Sequence, residues 1–181
     1  MKRLLGIFKG NINNGAMASN KILIGTPDGL CFRNIATQLE HPAEWDLLIL
    51  HVWPVSSMRI QAGATSYTYI KFLGKKSHAL ATVTVYKPKH TVSWALSGDY
   101  EMRIYWQLEP KSTGTLVSVT LAWQSHGWLG CFSLYRALQR KRAERLLWRM
   151  LVKLKKTVET EEAVQTAENR VAPYFVEGKL S

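Results

Sequence analysis

This chain has little from which to build a metal or redox centre. It holds two cysteines, Cys31 and Cys131, with no CxxC spacing and no cluster of histidines beside them. That argues against a structural zinc site, and both are expected to be buried thiols of a reducing compartment. The five histidines, His41, His51, His78, His90 and His126, are scattered, so each reads as a surface or capping residue. No Ser/His/Asp or Cys/His arrangement appears, and Gly127-Trp128-Leu129-Gly130 lacks the pattern of a phosphate loop. Long apolar runs are missing too. Residues 47–53 form the longest one after the N-terminus, interrupted by His51 and far short of the ~20 residues a membrane span needs. At the start, the apolar stretch up to Phe8 is broken by Lys9, Gly10 and Asn11, so a secretory leader is not expected.

Acidic residues are also scarce. Thirteen face 24 basic ones, giving a formal charge of +11. The excess is local: residues 130–158 carry Lys or Arg at nine positions and one carboxylate, Glu144. From Glu159 onward the sign reverses. This asymmetry implies an anionic partner for the basic segment, or a solvated face.

What the chain does have is pattern. At 181 residues, 46% hydrophobic and 20% charged, it suits one globular domain with a sizeable core. From Tyr100 to Leu108 apolar and aromatic residues take the even positions, and Val117, Val119, Leu121 and Trp123 continue the alternation after Gly114. Period two means half-buried antiparallel strands. Beyond Gly130 the period becomes helical, with Ala143, Leu147, Met150, Leu151, Leu154 and Val158 on one stripe. A sheet with one wet face and a single long helix is solved by curling the sheet around the helix.

Upstream, residues 21–24 read as a short strand. Thr26 is expected to cap a helix, with Pro27 at its first position and Asp28 at the positive dipole end. Strands are expected at residues 47–52, 67–73, 78–86, 91–97, 100–108 and 115–124, joined by Gly- and Pro-containing turns. The division expected is an arm, or a poorly anchored first strand, over residues 1–20, one domain over 21–160, and an acidic tail over 161–181.

Particular stretches carry a family resemblance. Thr26-Pro27-Asp28-Gly29-Leu30-Cys31-Phe32-Arg33-Asn34-Ile35-Ala36, then His41-Pro42-Ala43-Glu44-Trp45, looks like an opening "P-x-x-V-F-x-x-I…P-x-W". Residues 83–94 around Pro88, Leu108-Glu109-Pro110 with Gly114-Thr115, and residues 151–159 follow in the matching order. Over residues 21–160 the chain resembles the START-like, or polyketide cyclase/dehydrase and lipid-transport (SRPBCC), superfamily. It departs at Thr37-Gln38-Leu39, where the usual aspartate is absent. The resemblance implies an α+β helix-grip fold with a cavity between sheet and helix, and lipid, isoprenoid or polyketide-like ligands.

If the even residues face inward, the cavity wall comprises Trp94, Met102, Ile104, Trp106, Val119, Leu121 and Trp123, with Leu147 and Met150 from the helix. All are apolar or aromatic, and three tryptophans on one face suit a ligand pocket. No inward acid or base is visible: Glu101 has outward parity, and Asp99 and Glu109 lie at turns. The expectation is therefore a binder or carrier of a hydrophobic small molecule, without catalytic residues, metal or cofactor. A cyclase, aromatase or dehydratase is the alternative that the resemblance implies. Arg136 and Arg140 continue the apolar stripe backward and are candidates for contact with a ligand anion. Arg142, Arg145, Trp148, Arg149 and Lys153 face outward, a composition suited to an anionic membrane surface. Nucleic-acid binding has only the charge in its favour, with no recognition motif. The protein is expected in the cytoplasm, peripheral to membranes.

Overall fold

The computed structural model describes residues 16–40, 43–55, 60–124 and 133–171. Seven strands form one antiparallel sheet: β1 (Ala16–Ile24), β2 (Ile49–Pro54), β3 (Thr65–Phe72), β4 (Lys75–Lys87), β5 (Thr91–Gly98), β6 (Glu101–Lys111) and β7 (Gly114–Gln124). Their order is β1-β7-β6-β5-β4-β3-β2, so β3 to β7 form a meander of hairpins and β1 returns to pair with β7. Helix α1 (Asp28–Ala36) and a 3-10 turn (Thr37–Leu39) link β1 to the far edge, and α2 (Ser133–Val171) closes the described chain. The sheet curves around α2, in a helix-grip arrangement.

The alternating residues explain the curl. Val92, Trp94 and Leu96 of β5, Met102, Ile104 and Trp106 of β6, and Val117, Val119, Leu121 and Trp123 of β7 are all buried on one face. The α2 stripe, Ala143, Leu147, Met150, Leu151, Leu154 and Val158, is buried in the same cluster. Each such side chain removed from water contributes about 1.5–3 kcal/mol. The sheet and the helix therefore satisfy each other's apolar face.

Local structure departs from the sequence reading at both ends. Strand β1 begins at Ala16, not Lys21, because it pairs along its whole length with β7, from Ala16 opposite Trp123 to Ile24 opposite Thr115. Its own alternation is faint, since Ala18 and Ile24 are the residues it buries. Helix α2 runs on through residues expected to be a loose acidic tail. Glu159 accepts the Gly25 amide at 3.1 Å, and Glu161 pairs with Arg33 and accepts from Asn34 at 2.8 Å. The tail's acids thus anchor the helix to the β1–α1 junction. Thr26 does not cap α1; Pro27 takes that position with no side-chain bond. The Thr26 hydroxyl is buried instead, 3.1 Å from the free thiol of Cys31, and its carbonyl accepts from Thr115 at 2.8 Å. Burial raises the Cys31 pKa. Cys131, His41, His126 and the Gly127–Gly130 stretch lie outside the described residues.

One tight turn holds the β1 edge. Gly114 opens β7 at φ +137°, and a Cβ there would lie 2.1 Å from the Ile24 carbonyl oxygen. Gly63 also has positive φ, +91°, but nothing lies within 4 Å of its added Cβ. Gly114→Ala should therefore destabilise by about 2–4 kcal/mol, adding displaced backbone to conformational strain, and Gly63→Ala by about 1 kcal/mol. Urea unfolding of the two variants checks this ranking, and equal losses would contradict it.

Candidate ligand-binding groove

The nine residues expected to wall a cavity, Trp94, Met102, Ile104, Trp106, Val119, Leu121, Trp123, Leu147 and Met150, are each 0–1% exposed. They sit together in the core. Trp45 packs edge-on against Trp106, ring centroids 5.6 Å apart, and Phe72 does the same to Trp123 at 5.3 Å. Two pockets formed by described residues have linings of other side chains. One, at Leu39, Pro54 and Val83, has only about 20 Å³ of room, enough for a water molecule.

The other is a groove of about 550 Å³, lined by Asp46, Leu47, Leu50, Lys71, Leu73, Gly74, Arg142, Arg145, Leu146 and Arg149. Local sequence explains each wall. Arg142, Arg145, Leu146 and Arg149 stand at helical spacing, so α2 presents them on one side while its apolar stripe faces the sheet. Leu73-Gly74 is the two-residue turn between β3 and β4, with φ of +49° and +88°. Glycine favours that backbone; leucine is strained in it by about 1–2 kcal/mol. Leu73 nonetheless packs against the core at the groove's lip. Lys71 continues the outward row of Tyr67 and Tyr69 on β3.

The arginines that line the groove are not the pair expected at a cavity. Arg136 and Arg140 follow the phase of the buried stripe, yet both are exposed. Tyr135, Arg136, Ala137 and Leu138 are all exposed, on every side of that turn, so the described sheet does not reach beneath it. Arg140 pairs with Glu144 at 2.9 Å instead. Arg142, Arg145 and Arg149 are exposed, as expected, and converge on the groove. Trp148 and Lys153 are exposed on the same helix and do not line it.

Asp46 is the residue that sequence reasoning missed. It directly precedes the apolar run 47–53, and an acid at that boundary is the signal for a side-chain-bonded turn opening a buried strand. Its Oδ1 accepts the amides of Leu48 at 2.7 Å and Ile49 at 3.1 Å, while Oδ2 is buried with no partner among the described residues. Burial drives its pKa up to about 7, outweighing the opposing pull of the two amides. The indole N–H groups of Trp45, Trp94, Trp106 and Trp123 are likewise buried, with no hydrogen-bond partner among the described residues. Among the described residues no group of three or more His, Cys, Asp or Glu is placed to hold a metal ion. None of their helices is long and apolar enough to cross a membrane.

Stability follows from the Asp46 carboxyl. Folded, it keeps its proton up to about pH 7; unfolded, it releases it near the ordinary aspartate value of 3.8. Between those values the folded state binds more protons, so stability falls as pH rises and levels off above about 7. Asp46→Asn keeps the Oδ1 acceptor and removes the titration. Its stability relative to wild type should rise by a few kcal/mol, on the order of 1.4 per unit of pKa shift, from pH 4.5 to pH 8. Urea unfolding at the two pH values measures this, and a constant difference would exclude it.

No family model matches the sequence, and no curated protein matches it. Solved structures do match in shape. A Thermus thermophilus protein, TTHA0849, superposes with a TM-score of 0.64 at 21% identity, over 81% of this chain and 98% of its own. A START superfamily protein from Mycobacterium smegmatis does so with a TM-score of 0.63 at 13% identity, over 80% and 97%. Ara h 8.0201 gives 0.57 at 12% identity, over 81% and 99%. Likeness at such low identity speaks for architecture: a curved seven-stranded sheet closed on a long last helix, the helix-grip fold that this chain shares with the START superfamily structure.

Proposed function

We propose that this protein binds an amphiphilic small molecule in the groove, its apolar body on Leu47, Leu50, Leu73 and Leu146 and its anionic group on Lys71, Arg142, Arg145 and Arg149. The observation that carries this reading is the groove itself. Its volume of about 550 Å³ falls in the ~300–1,000 Å³ range of ligand sites, and its leucines and convergent cations divide one surface into two chemistries. Guanidinium groups suit carboxylate or phosphate, which they meet with paired hydrogen bonds. Lipid and isoprenoid acids, or polyketide-like acids, have the matching form.

Binding is favoured over catalysis by the groove's inventory. A cyclase or dehydratase reaction needs a proton donor or acceptor on each side of the substrate. Asp46 is the one carboxyl among the lining residues, and the groups contributed by α2 are arginines and a leucine. A guanidinium offers hydrogen-bond donors and no acceptor, so it does not serve as a base.

A membrane-docking role is favoured by the helix side that carries these arginines. Leu138 and Trp148 are each 48% exposed and Val152 44%, interleaved with Lys141, Arg142, Arg145, Arg149, Lys153 and Lys156. Apolar residues among cations suit the headgroup region of an anionic bilayer. A ligand leaving the groove there would pass straight to lipid.

Two measurements test these readings. Dansyl-undecanoic acid should bind with a blue-shifted emission. Arg145→Glu with Arg149→Glu should weaken it about tenfold or more, while binding of the methyl ester changes little. No uptake of the acid by wild type would sink the binding role. For docking, vesicles containing phosphatidylserine should co-sediment the protein and pure phosphatidylcholine vesicles should not. Each basic residue at the surface contributes about 1 kcal/mol, screened by salt. Trp148→Ala with Lys153→Glu, which leaves the groove lining intact, should release the protein. Equal sedimentation with both vesicle types would refute the docking.

A further inference from the structure

We infer that Asp46 recognises an uncharged oxygen atom on the bound molecule, so that the groove selects oxygenated amphiphiles, those with a ketone, ester or amide carbonyl on the apolar body, over plain ones. This rests on the groove being a ligand site, and it adds the chemistry of the ligand's far end.

Geometry divides the carboxyl into two halves. Oδ1 is committed to the fold by the amides of Leu48 and Ile49, at 2.7 and 3.1 Å. Oδ2 belongs to a residue that lines the groove, yet it is buried and has no hydrogen-bond partner among the described residues. Nearly all buried polar atoms in folded proteins have a partner, because one left unmade costs about 1–3 kcal/mol. A carbonyl oxygen on a bound molecule would accept the Oδ2 proton and remove that cost.

The protonation state suits the role. Burial holds the carboxyl neutral up to about pH 7, and a neutral carboxyl can donate where a carboxylate only accepts. The charged groups that share the groove are Lys71 from β3 and Arg142, Arg145 and Arg149 from α2. The acid itself changes state near pH 7. Below about pH 7 it favours a ligand carbonyl, and above it repels that oxygen.

Competition against dansyl-undecanoic acid on the full chain tests this, with stearate and a set of positional oxostearates as competitors. At pH 6 at least one oxostearate should compete about five- to tenfold better than stearate, the ratio expected of one hydrogen bond. At pH 8 the preference should shrink toward unity. Because both competitors share one head group, titration of that group cancels. Asp46→Asn keeps the Oδ1 acceptor and presents an N–H donor, so it should hold the preference at both pH values. Asp46→Leu should abolish it. Equal competition by stearate and every oxostearate at pH 6, or a pH trend unchanged in Asp46→Asn, would overturn the role of Asp46 while leaving the groove intact. Failure of stearate and oxostearates alike, with no effect of the Arg145→Glu and Arg149→Glu pair on the dansyl acid, would overturn the groove reading itself.

Discussion

The structure depends on one burial: the apolar side of α2 against the concave face of the sheet. Leu147, Met150, Leu151, Leu154 and Val158 leave water only if the strands curve to meet them, and Trp94, Trp106 and Trp123 leave water only if the helix covers them. Neither layer is stable alone, since a one-sided sheet and a one-sided helix each expose what the other hides. The β1–β7 pairing and the Glu159 and Glu161 contacts to the β1–α1 junction fix the helix along that seam. Once the helix is fixed, its second side is fixed too, and that side carries Arg142, Arg145 and Arg149.

The groove follows as a geometric remainder. It is walled by α2 on one side and by residues at the start of β2 and at the β3–β4 turn on the other. Leucines from the turn and from the start of β2 form its floor, and the helix contributes the cations. Two features of this region work against stability. Leu73 is held in a left-handed backbone conformation, and Asp46 is buried with an oxygen unpaired among the described residues.

Much of the fold was legible in the residues. Alternation from Tyr100 to Trp123 and the stripe from Ala143 to Val158 report burial directly, because strands have period two and helices 3.6. The β1 strand was legible only in part. Ala16, Ala18 and Asn20 have little alternation of their own, and their pairing is supplied by β7. The acids after Glu159 look like a solvated tail by composition, yet Glu161 finds Arg33 and Asn34, residues 128 and 127 positions away. No local rule can register a partner at that distance.

The sequence by itself determined which faces are apolar, how many strands alternate, and that the last helix is basic. These are short-range properties, written in the spacing of neighbouring residues. The tertiary structure alone decided which cations line the groove. Arg136 and Arg140 follow the phase of the buried stripe, yet both are exposed, while Arg142, Arg145 and Arg149, on another side of α2, line the groove. It also decided the state of Asp46. An aspartate before a leucine run is ordinary on paper, and only the desolvation imposed by distant elements keeps its proton in place up to about pH 7.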